Sequence, residues 1–105
     1  MARFSLPASA TSSAVAHRQV VEIWYFISGS GELWCELEGG SEIVGVSEGV
    51  SLTIPAGCGF QLRADPDEPL VAVAVTTPPW PGDAEAVPAE GPWVATVGEA
   101  AQTGE

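Results

Sequence analysis

Apolar and polar residues alternate along most of the first three-quarters of the chain, the period of half-buried strands. The clearest stretch is V-V-E-I-W-Y-F-I-S-G-S-G, residues 20–31. Its apolar run is β-branched and aromatic, too short for a striped helix, and closed by Ser-Gly-Ser-Gly, so it reads as a strand ending in a tight turn. Glu22, Trp24 and Phe26 share one face, and Ile23, Tyr25 and Ile27 the other. Upstream, V-A-H-R-Q-V sets Val15, His17 and Gln19 against Ala16, Arg18 and Val20. Downstream, Leu33, Cys35 and Leu37 alternate with Glu32, Trp34, Glu36 and Glu38, and Gly39-Gly40 closes a hairpin. Short strands are expected in S-E-I-V-G-V and V-S-L-T-I, then a sharp bend at P-A-G-C-G. F-Q-L-R-A puts Phe60, Leu62 and Ala64 on one face and Gln61 and Arg63 on the other. L-V-A-V-A-V-T-T belongs in the middle of a sheet. Six or more short strands with no helical period predict an all-β sandwich or barrel.

Three segments follow. Residues 1–14 are small and polar, with Phe4 and Leu6 as the sizeable apolar groups, and residues 15–77 are the barrel. Residues 78–105, dense in proline and glycine, are an extended arm. Trp80 and Trp93 are expected to cover apolar surface of the barrel, and the chain to fray near G-E-A-A-Q-T-G-E. At 105 residues this is one domain. A core that small favours closure of the sheet or dimerisation.

Charge then removes whole classes of function. Fourteen acids against three arginines leave a net charge of −11, which excludes nucleic-acid binding by clustered cations. There is no lysine, so Schiff-base chemistry and a lysine-anchored pyridoxal cofactor are excluded. No apolar run reaches the ~18 residues of a membrane span. The start of the chain lacks the apolar centre of a secretory signal, and the expected location is cytoplasmic. Cys35 and Cys58 lack zinc-site spacing and read as small apolar residues.

Candidate chemistry concentrates at residues 17–29. His17 is the sole histidine, and Glu22 shares a face with two large aromatics, a costly placement unless that face lines a pocket. The stretch carries His17, Glu22 after four intervening residues and Gly29 after six more. A second stretch, G-V-S-L-T-I-P-A-G-C-G-F-Q-L-R-A, carries Gly49, Pro55 and Gly57. Both resemble, in order and spacing, the two motifs of the cupin family across about residues 15–64. The resemblance implies a jelly-roll barrel with His17 and Glu22 at two of four metal-ligand positions. Val15 and Phe60 stand where the family has its other histidines, and Ala64 replaces the asparagine. It also implies that Val15, His17 and Gln19 face the interior and that residues 1–14 pair with the sheet edge of a partner subunit.

Three readings of His17 and Glu22 stay open. As metal ligands they are two where three or more are usual, with Glu36 or Cys58 as possible additions outside the family spacing. As a cofactor-free acid–base pair, the carboxylate fixes the imidazole tautomer, and the ring gives or takes a proton near neutral pH. Val15, Trp24, Phe26, Phe60 and Leu62 would then wall an apolar substrate, with Gln19 a donor to a substrate oxygen. Third, the pair is only a satisfied polar contact in a small binding barrel. The acid–base reading is preferred, since replacing a buried ion pair by apolar residues is often neutral for stability. It predicts a small-molecule isomerase, cyclase or dehydratase and a homodimer. By resemblance, natural-product pathways including polyketide cyclisation are a setting.

Overall fold

The computed structural model describes residues 2–37, 39–79, 81–82, 85–97 and, as a strand, 101–104. Its strands are β1 (Ala2–Leu6), β2 (Val15–His17), β3 (Val21–Ser28), β4 (Ser30–Leu37) and β5 (Gly40–Ser47), followed by β6 (Ser51–Ile54), β7 (Gly59–Ala64), β8 (Leu70–Thr77), β9 (Ala86–Pro88) and β10 (Ala101–Gly104). They form two antiparallel five-stranded sheets, β10-β1-β8-β3-β6 and β5-β4-β7-β2-β9. There is no α-helix among the described residues. The all-β jelly roll expected from the alternation is what forms, and β8 does occupy the middle of its sheet.

Period-2 alternation in β3 becomes the division between core and surface. Glu22, Trp24 and Phe26 are buried, while Ile23, Tyr25 and Ile27 are exposed. β3 stops at Ser28 because the chain must reverse between the sheets there. Gly29 takes φ +82°, and a Cβ on it would come within 2.1 Å of the Pro69 carbonyl oxygen, so any side chain would force the strands apart. β4 then leads into the second sheet, pairing with β5 and β7.

Four expectations need correction. β1 lies between β8 and β10 of its own chain and buries Phe4 and Leu6 in the core. The barrel thus takes in the N-terminal segment instead of starting at residue 15, because the two large side chains of β1 point into the same apolar interior as Trp24 and Phe26. Alternation was extended too far in V-A-H-R-Q-V: β2 ends at His17, the chain bends at Arg18 and Gln19, and Gln19 is exposed. The C-terminal arm is partly strand, β9 pairing with β2 and β10 with β1, so residues 101–104 are paired where fraying was expected. Trp93 lies over a cation, Arg63, rather than over apolar surface; Trp80 falls outside the described residues.

Candidate functional site

His17 closes β2 in one sheet, and Glu22 sits near the start of β3 in the other. Both side chains enter the space between the sheets, at 5% and 2% exposure. The main chain fixes each approach. Gly57 N–H donates to the His17 carbonyl at 2.8 Å, which ties β2 to the Pro-Ala-Gly-Cys bend, and β3 is held on both sides by β6 and β8. The imidazole Nε2 stands 2.8 Å from Glu22 Oε1. The same oxygen accepts the Trp24 indole N–H at 3.0 Å, a bond possible because residues two apart on a strand share a face.

Around this polar contact the walls are rings. Phe60 lies 5.4 Å from the His17 ring and 6.1 Å from Trp24, centroid to centroid. Trp24 also meets Phe26 at 6.0 Å and Phe4 edge-on at 4.9 Å. Val15 is half-buried, directly opposite Phe60 in the β2–β7 register, and Leu62 is buried in the same cluster. Of the residues expected at the site, His17, Glu22, Val15, Trp24, Phe26, Phe60 and Leu62 therefore come together. Gln19 does not: it lies past the end of β2, with its side chain exposed and only its backbone N–H engaged, by Glu85.

Two residues were missed in the sequence. Phe4 was named only as one of two sizeable apolar groups of residues 1–14, with no part in the site, yet its ring packs on Trp24. Glu85 lies in the arm, where no periodicity marks it. Its buried carboxylate Oε2 accepts the backbone N–H of Gln19 at 2.6 Å and of Val20 at 2.8 Å, and its own carbonyl accepts from Arg18 N–H at 2.9 Å. Burial pushes the Glu85 carboxyl up, but the Gln19 and Val20 N–H bonds and the neighbouring His17 outweigh it and hold the group below its ordinary range. Its position one residue before β9 brings a second carboxylate to the end of β2 that carries His17.

Does this set of donors suit the metal that the motif resemblance implies? Two donors are present, His17 and Glu22, and the apolar side chains of Val15 and Phe60 fill the remaining positions. Glu36 is exposed on β4, and the Cys58 thiol is turned to the Gly59 carbonyl at 3.5 Å. Among the described residues no three His, Cys, Asp or Glu side chains converge as a metal-binding group. The donor set does not fit a resident metal, which normally takes at least three protein ligands.

Comparison with known proteins places the fold. Residues 2–76 match a family model described as the cupin domain, a span that stops short of the arm bearing Glu85. Among curated proteins nothing matches. An oxalate decarboxylase from Lactobacillus farciminis, solved as a formate complex, superposes with TM-score 0.75 at 18% identity, covering 83% of this chain and 25% of that one. An uncharacterised conserved Klebsiella pneumoniae protein with a double-stranded β-helix domain gives 0.68 at 20% identity, covering 85% and 72%. Procruciferin, the 11S globulin of Brassica napus, gives 0.68 at 22% identity, covering 82% and 21%. The chain thus spans only about a fifth to a quarter of the storage globulin and of the decarboxylase. At these identities the likeness is one of fold. Among the described residues no helix is long and apolar enough to cross a membrane.

Proposed function

The chain belongs to the cupin family, and we propose that its barrel moves protons on a small, largely apolar molecule without a metal, through His17 and Glu22. One observation carries this reading. The only histidine is buried against a buried carboxylate, 2.8 Å away, inside a space otherwise walled by aromatic rings. Two apolar side chains would hold the sheets together at no desolvation cost, and a buried ion pair is weak as a stabilising device. In the proposed mechanism Glu22 orients the ring through His17 Nε2, and the other ring nitrogen, Nδ1, takes and returns the proton. The Trp24 indole N–H keeps that carboxylate in place. Phe26, Phe60, Leu62 and Val15 hold the substrate by apolar contact. Chemistry within reach of one positioned proton carrier is isomerisation, dehydration or an aldol-type ring closure such as polyketide cyclisation requires. Ligand entry needs one of the rings packed on Trp24, Phe4 or Phe60, to swing aside. We place this activity in the cytoplasm.

Deuterium exchange at the α-carbon of a panel of small cyclic and aromatic ketones in D₂O, read by mass, tests this reading. The wild-type protein should accelerate exchange for at least one of them. His17→Ala should lower that rate by about 100-fold or more, and Glu22→Gln by less, since the amide keeps an acceptor. An equal rate in His17→Ala would end the acid–base reading. The close packing of Phe4, Trp24, Phe26 and Phe60 favours a second reading, a non-catalytic barrel. In that case the panel shows no exchange, and ligands register only as a rise in Tm.

We further propose a homodimer formed through the outer face of the β10-β1-β8-β3-β6 sheet. Its outward positions are Arg3 and Ser5 on β1, Ile23, Tyr25 and Ile27 on β3, Ser51 and Thr53 on β6, and Val73 and Val75 on β8. None is acidic. In a chain of net charge −11, such a face lets two copies meet with little repulsion.

A further inference from the structure

Neither cysteine has a part in the chemistry above, yet the fold brings the two together. In the β4–β7 ladder Cys35 stands opposite Phe60 and Glu36 opposite Gly59. Cys58, two positions before Phe60, therefore falls on the same face as Cys35, diagonally across the strand pair. Both reach the same apolar cluster, Cys58 within it and Cys35 packed against its edge. Their accessibilities differ, Cys35 half-exposed and Cys58 buried. Cys58 also precedes β7, in the bend whose Gly57 N–H holds the His17 carbonyl, so its backbone is not locked into the ladder.

We propose that Cys35 and Cys58 are a redox pair, which hydrogen peroxide converts to an intramolecular disulfide tying β4 to the bend beneath His17. The more accessible partner, Cys35, reacts first. Cys35 sulfur attacks one peroxide oxygen, the O–O bond breaks, and a sulfenic acid and one water result. Cys58 sulfur then attacks Cys35 sulfur, the S–S bond forms, and the sulfenic oxygen leaves as a second water. Two electrons from the two sulfurs reduce one peroxide, and both thiol hydrogens end in water. Burial, followed by the charges of Cys58 and Glu42, holds the Cys35 thiol above its ordinary range, and burial does the same for Cys58. Few thiolates are present at neutral pH, so the oxidation is slow and calls for excess peroxide and long exposure.

The whole chain is incubated with hydrogen peroxide under native conditions, then assayed for free thiols, intact mass and Tm. Trypsin cannot separate the cysteines, since no arginine or lysine lies between Gln19 and Arg63; a glutamate-specific protease cuts between them. Both thiols should disappear together, with loss of two hydrogen masses, a Cys35–Cys58 linked peptide, a raised Tm and full reversal by a dithiol reductant. In Cys35→Ser, Cys58 should stay a free thiol under the same exposure. Three results would each overturn the proposal: stable addition of oxygen to Cys35 with Cys58 unchanged, a disulfide between two chains, or both thiols intact after long exposure to excess peroxide.

Discussion

On the outer face of the β5-β4-β7-β2-β9 sheet, Trp34 and Gln61 point away from the barrel interior and are still only 5% and 1% exposed. On the outer face of the other sheet, Ile23 and Tyr25 are 44% and 48% exposed. The difference is the C-terminal arm. Gln61 Nε2 donates to the Ser12 carbonyl at 2.8 Å and to the Trp93 carbonyl at 2.9 Å, and its Oε1 accepts Trp93 N–H at 3.2 Å. Thr96 and Thr11 exchange bonds, Thr11 N–H to Thr96 Oγ1 at 2.8 Å and Thr96 N–H to the Thr11 carbonyl at 2.9 Å. The Trp34 ring packs near Gly59, with Ala89 on the same side. One sheet is thus roofed by the chain's own tail through polar clamps, while the other keeps an apolar surface open. A small barrel has two outer faces, and here only one is closed from within.

Gln61 is where that difference can be broken most severely. Gln61→Ala strands the Trp93 N–H and the carbonyls of Ser12 and Trp93 under the arm, and unsatisfied buried polar groups are costly. The expected loss is about 3 kcal/mol, read by urea unfolding, with tryptophan fluorescence reporting release of the arm before the barrel unfolds. A loss below about 1 kcal/mol would mean that the arm is held elsewhere. Gly91→Val attacks the same place sterically, since a Cβ at Gly91 would come within 2.1 Å of Gln61 Oε1.

Tyr25→Glu sharpens the other side of the comparison. An acid at the centre of the open face should turn a dimer into a monomer by light scattering at micromolar concentration. The fold should survive, because the side chain is outside the core. A wild-type protein already monomeric, or a Tyr25→Glu variant still dimeric, removes the open face as the dimer contact.

The clamps also show what was legible beforehand. Period-2 alternation grouped Glu22 with Trp24 and Phe26, and Phe60 with Leu62, because those residues sit in regular strands, and the family resemblance turned those faces inward. Alternation set Trp34 on the face opposite Leu33 and Gln61 on the face opposite Phe60 and said nothing of their burial, because it reports direction and not what arrives later from the tail. Gln19 was placed inside because the pattern runs on past His17, whereas the strand does not. Glu85 carried no signal at all: A-E-A-V-P has no period, and its partners, the N–H groups of Gln19 and Val20, are main-chain atoms more than sixty residues away.

Glu85 gives the third prediction, with a sign set by its depressed carboxyl. A carboxylate held below its ordinary value of 4.5 contributes stability that is fully present above that pH. The contribution is lost as pH falls through the depressed value. Glu85→Gln should therefore be less stable than wild type at pH 7, and the difference should shrink towards zero in strongly acidic buffer. A difference that stays constant with pH would show that Glu85 acts by packing alone.

Trp93 gives the smallest effect and separates the arm's side chains from its backbone. Its indole lies under the Arg63 guanidinium, 4.2 Å from cation to ring centroid, and Arg63 also pairs with Glu32. Both charged groups are about 40% exposed, so water screens the cation–π contact and caps its worth near 0.5–1 kcal/mol, about the value of an exposed pair. In Trp93→Ala the main-chain bonds to Gln61 remain, and Arg63 keeps its carboxylate partner. Trp93→Ala should therefore cost about 1 kcal/mol, well short of Gln61→Ala, and leave the arm docked. Hydrogen exchange at residue 93 distinguishes the outcomes: protection retained in Trp93→Ala and lost in Gln61→Ala means that the buried amide closes this face. The reverse order would make the indole the clamp and Gln61 its support.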